Sequence, residues 1–180
     1  MKSSRALRLL AALCLSAGLS VFAAGLEVTG EVPNALKLSE MDLIAMPRAK
    51  VMATEHNGSK AEFEGVPVSE ILKRAGVPQG EKLRGKNLAL CLLVTASDGY
   101  RAVFTLPELD PLFTDNRFIL ADRRDGQPLD ATVGPLRLVL PDEKRQTRWV
   151  RQVVRFEIIP VSASPVSSPS GRTNPPPQKP

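Results

Sequence analysis

Apolar and polar side chains alternate over short stretches, and this alternation divides the chain into many strands and few helices. Residues 26–30 (LEVTG) alternate with period two and stop at a glycine, which predicts a first strand. Residues 49–54 predict a second, and 61–65 (AEFEG) alternate again beyond His56-Asn57-Gly58-Ser59, four residues of turn chemistry. Residues 88–95 (LALCLLVT) are continuously apolar and predict a strand covered on both faces. Ser97-Asp98-Gly99 turns it into a hairpin partner at 100–104, and 118–121 predict a further strand before a turn at Asp125-Gly126. Residues 136–141 alternate with Arg137 on the exposed face, and 149–159 form the last strand region. Ser39-Glu40-Met41-Asp42 is a capping box for a short helix that runs toward Met46 and is stopped by Pro47. A second helix is predicted over 68–75, with Gly76 just past its end and Pro78 beyond. A short helical piece over 106–112 has proline near both ends. Many strands with a few short helices predict an α+β fold, mostly β, in one domain.

The two ends do not follow this pattern. Residues 1–8 carry Lys2, Arg5 and Arg8 and no acid, an apolar run follows over 9–22, and Val21-Phe22-Ala23 offers small residues for cleavage. That pattern predicts a signal peptide over 1–23, a periplasmic or secreted mature protein, and no membrane span after cleavage. Residues 161–180 hold six prolines and only two apolar side chains larger than alanine, Val161 and Val166. Such a segment cannot bury enough surface to offset its ordering entropy, so a disordered tail over 161–180 is expected. The compact domain is then 24–160.

Composition narrows the chemistry. The 180 residues carry 24 Lys plus Arg against 19 Asp plus Glu, a net of +5. Without Lys2, Arg5 and Arg8 the balance is 21 against 19, or +2, so the basic character gives no support to nucleic acid as a partner. Aromatic residues are 4%, too few for a base-stacking platform. With two Cys and one His, a structural zinc site of four such ligands is excluded. Cys91 is the one cysteine beyond the signal, so no internal disulfide is expected, and its place in an apolar run predicts a buried thiol. No glycine-rich phosphate loop, nucleophile elbow or calcium loop is present in the sequence.

Five segments in order carry a resemblance. Residues 63–72 (FEGVPVSEIL) resemble an "aromatic-x-GVPL-x-x-LL" segment, and 96–100 (ASDGY) an "A-x-DGY" turn. Ile119-Leu120-Ala121 with 125–129 (DGQPL), then 134–141 (GPLRLVLP), then Arg148-Trp149-Val150 follow the same order. Together they resemble the sulfite-oxidase-type molybdopterin-binding domain, in its small single-domain form. The resemblance implies a mixed fold of that type and molybdopterin as cofactor.

The same resemblance implies a metal-binding cysteine just after the strand that precedes the GVPL segment. Here that stretch is 51–58 (VMATEHNG), without cysteine. Thiolate is a soft, charged ligand, and imidazole or carboxylate would change both charge and geometry. The family's histidine before the glycine of the PLR segment is replaced by Val133. Two basic family positions remain, Arg137 of PLR and Arg148 before Trp149, and an arginine fork suits phosphate or carboxylate. Arg137, Arg148 and His56 are therefore the candidate ligand-binding residues, with no catalytic residue, no metal ligand and no resident cofactor expected. The expected function is a non-catalytic exported domain that binds an anionic small molecule or a periplasmic protein. The alternative is an active molybdopterin-dependent oxidoreductase with an unusual metal ligand, for which Glu55 and His56 lie in the right neighbourhood.

Overall fold

A computed structural model describes residues 25–161. The predicted signal segment, and the predicted tail beyond Val161, lie outside the described residues. The chain folds as β1 (Gly25–Gly30), β2 (Leu36–Ser39), helix α1 (Glu40–Ile44), β3 (Ala49–Thr54), β4 (Lys60–Pro67) and helix α2 (Val68–Arg74). There follow β5 (Leu90–Ala96), β6 (Arg101–Thr105), β7 (Ile119–Arg124), β8 (Gln127–Pro128), β9 (Arg137–Val139) and β10 (Val153–Pro160), with short 3-10 turns between them. The fold is mixed and mostly β, as the alternation predicts.

One sheet runs β2-β1-β10-β5-β6, and the other β3-β4-β7-β8 with β9 also paired to β7. β1 lies parallel to β10, so the two ends of the domain meet in the middle of the first sheet. The inner faces share one apolar core that includes Val28, Phe63, Ile71, Leu92, Phe104 and Phe156. Burial of these side chains is the main stabilising term. The capping box forms as predicted: the Ser39 hydroxyl accepts from the Asp42 amide and the Asp42 carboxylate from the Ser39 amide. The Ser39 hydroxyl also donates to the Asp42 carboxylate at 2.6 Å, and this bond, with the one from the Ser39 amide, holds the Asp42 carboxyl below its ordinary range.

Three expectations are corrected. The run over 88–95 is not covered on both faces: the strand is Leu90–Ala96, with Leu93 and Thr95 partly exposed and Leu88 exposed before it. An antiparallel sheet needs only one apolar face, and leucine propensity cannot tell the two cases apart. Trp149 does not begin the last strand, which starts at Val153; it is buried in the connection before it. Arg137 does not face solvent, for it is only 8% exposed.

Candidate functional site

The site grows out of the β3–β4 hairpin. Val51 and Ala53 point inward along β3, and the period of two carries Glu55 onto the same face just past the strand's end. The turn closes there: the Glu55 amide donates to the Ser59 carbonyl at 2.8 Å, and the Gly58 amide to the Glu55 carbonyl at 2.9 Å. Gly58 sits at φ +83, where a left-handed backbone favours glycine. Opposite the hairpin, β4 places Phe63 beside Arg124 of β7, and β7 places Ala121 beside Arg137 of β9.

Glu55 therefore meets two arginines. Its carboxylate accepts from Arg124 Nη2 at 2.7 Å and from Arg137 Nη1 at 3.4 Å. The Arg137 guanidinium carbon lies 5.0 Å from the Trp149 ring and 5.6 Å from the Phe63 ring, and the two rings meet edge to face. Burial of Arg137 pulls its pKa below the usual arginine value; Glu55 opposes this, and the charges of Arg151 and Arg124 add to it. The Nε atoms of Arg124 and Arg137 are buried without a hydrogen-bond partner among the described residues. Asp125, exposed, lies 3.5 Å from Arg124, and Gln146 Nε2 donates to the Thr54 carbonyl at 2.5 Å.

Arg148 belongs to a different cluster. It pairs with Glu108 at 3.3 Å and with Glu143, and lies 4.7 Å above the Phe104 ring. Burial alone would depress its pKa, but Glu143 and Glu108 outweigh that and the net direction is up. Arg137 and Arg148 share no ion-pair partner among the described residues. His56 is exposed at the turn, beside Asn57, whose side chain accepts from the Ser59 amide. Among the described residues no three His, Cys, Asp or Glu side chains are grouped so that they could hold a metal. Cys91 is buried on β5 in the other sheet, where burial pushes its thiol pKa up and the charge of Glu108 adds to the shift.

Sequence reasoning did not single out Arg124. It closes β7 as the second of two adjacent arginines, and nothing local separates it from a solvated one. On the outer face of the same sheet, Arg48 is held by Asp122 at 2.9 and 2.5 Å and by Glu64 at 2.9 Å. The bond to Asp122 is the larger part of what raises its pKa. This network is structural: it ties the chain entering β3 to the bulge where β7 leaves register with β4.

Comparisons with known proteins follow the same outline. The family model "Oxidoreductase molybdopterin binding domain" matches residues 23–164. Among solved structures, the sulfane dehydrogenase SoxCD from Paracoccus pantotrophus is similar at a TM-score of 0.60 and 23% identity. The similarity covers 75% of this chain and 38% of that one, and at this identity it bears on the fold. Comparison with curated proteins finds no match. Among the described residues no helix is long and apolar enough to cross a membrane.

Proposed function

Since the chain belongs to the oxidoreductase molybdopterin-binding domain family, we propose that it is an exported, non-catalytic member that binds an anionic ligand or partner through its arginines. The observation that carries this reading is Glu55. It lies in the stretch 51–58 where the family resemblance asks for a thiolate, and its charge is already taken up by Arg124 and Arg137. A carboxylate held by two guanidinium groups is poorly available to a metal, and it is a hard ligand where a soft one is wanted. The neighbouring His56 belongs to no group of three such donors among the described residues.

Two small recesses, of about 50 and 70 Å³, lie away from Glu55. The first is lined by Arg148 with Phe118, Leu140 and Glu143, and the second by Leu43, Asp122, Leu129 and Leu136. The residues therefore do not fit a molybdenum centre. Arg137 and Arg148 are the basic positions retained from the family pattern. Each offers planar donors suited to an oxyanion or a carboxylate partner.

The test is elemental. The full chain, produced in a host that makes and exports the cofactor, should return far less than one molybdenum per chain and show no sulfite or sulfoxide turnover. One molybdenum per chain, with pterin, overturns the reading.

A further inference from the structure

Asp110 is the one buried acid among the described residues, at 4% exposure, and no cation pairs with it there. Backbone amides satisfy it instead. One carboxylate oxygen accepts from the Gly80 amide at 2.6 Å and the other from the Leu112 amide at 2.8 Å. Its carbonyl accepts from the Phe113 and Thr114 amides. These bonds lock the turn 110–114 and tie it to the 3-10 turn Gly80–Lys82, which buried Leu83 anchors in the core. The side chains held in place this way are not buried, for Leu112 is 66% exposed and Phe113 49%. A fixed turn that presents two adjacent large apolar side chains to water gains no burial from them in the folded chain. Lys82, Arg84, Lys86 and Arg117 are exposed and take part in no ion pair among the described residues. They outnumber the acids exposed on the same two segments, Glu81 and Asp115. Lys82 and Leu112 each stand two residues from the bond between Gly80 and Asp110, so the apolar tip and the cations belong to one surface.

We infer that the segments 80–86 and 110–117 form a docking surface for an anionic lipid bilayer. Leu112 and Phe113 enter its interfacial layer, and the cations around them meet the headgroup charges. Shape and charge select this occupant. A stable protein partner would need to cover roughly 1,200–2,000 Å², and two side chains projecting from a turn offer a point rather than such an area. A bilayer accepts a point contact, because apolar side chains insert at the boundary of headgroups and acyl chains while nearby Lys and Arg are drawn to anionic lipid. Asp110 fixes both turns in advance, so little conformational freedom is lost on docking. The contact is peripheral, since among the described residues no helix is long and apolar enough to cross a membrane. None of these residues holds Glu55, so the inference does not depend on what the arginines beside it bind.

The probe is vesicles of phosphatidylglycerol mixed with phosphatidylcholine, set against vesicles of phosphatidylcholine alone, each co-sedimented with the chain as the host exports it. The protein should bind the anionic vesicles at least about tenfold more tightly than the neutral ones, a difference of about 1.4 kcal/mol. Added salt should weaken that binding. Leu112→Ser with Phe113→Ser should lower affinity for the anionic vesicles at least about tenfold, from the apolar burial lost. Lys82→Gln, Arg84→Gln and Lys86→Gln together should remove the difference between the two kinds of vesicle. All five side chains are exposed, so the unfolding midpoints should match that of the unaltered protein. Should the paired serine change not fold, Leu112→Ser alone, at the more exposed position, decides by the same loss of binding. No sedimentation with either vesicle, equal binding to both, or binding that survives the loss of Leu112 and Phe113 overturns the inference. Binding to polyglutamate without binding to vesicles would assign the surface to an acidic protein and overturn it as well.

Discussion

Trp149 shows what one side chain does here. It is 4% exposed, donates its indole N–H to the Leu140 carbonyl at 3.0 Å, meets Phe63 edge-on and forms one wall around Arg137. Trp149→Ala should cost about 3–5 kcal/mol in urea unfolding, from lost burial and the cavity left behind. A loss under about 1 kcal/mol would be typical of a surface site and would deny that role. Its burial is legible in the sequence, because Trp149 stands in an apolar segment with Val150 and Val153. The burial of Arg137 is not, because period two along 136–141 sends it outward, and only Glu55, 82 positions away, with the two rings makes an inward cation tolerable.

At the scale of elements, β4 is the hinge of the site. It pairs with β3 on one side and β7 on the other, and its register slips between Glu64 and Gly65. A Cβ on Gly65 would come within 2.1 Å of the Leu120 carbonyl oxygen, so the two strands approach as only glycine permits. Gly65→Ala should therefore destabilise by about 1–3 kcal/mol, as forced overpacking does. Equilibrium denaturation measures it, and an unchanged midpoint would mean that β7 shifts freely. β3, β4 and α2 were readable because alternation, turn residues and the glycine after the helix are local signals. β2 and the two-residue β8 were not, being too short for a period to stand out.

For the whole molecule, the two sheets bury a single continuous core, and the β1–β10 pairing joins the first strand of the domain to its last. Neither sheet has an inner face that could stay dry alone. The domain should unfold in one cooperative step, with calorimetric and van't Hoff enthalpies equal. Two resolved transitions in scanning calorimetry would show that the sheets separate. The molybdenum experiment belongs to this scale as well, since it asks what the assembled fold holds.

The amino-acid sequence by itself determined most of the strands, the helix ends, the hairpin turns and, through five ordered motifs, the family. All of these depend on residues within a few positions of one another, where spacing alone sets which face a side chain takes. It also determined that no cysteine stands in 51–58, at the end of β3 and just past it. Only the tertiary structure decided that Glu55, just past β3, is held by Arg124 and Arg137, 69 and 82 positions away, and that Arg148 goes to Glu108 and Glu143 instead. The reason is electrostatic: whether an arginine is solvated, buried or ready for a ligand depends on which carboxylate arrives beside it. That partner comes from another strand, placed by the sheet pairings that close the core.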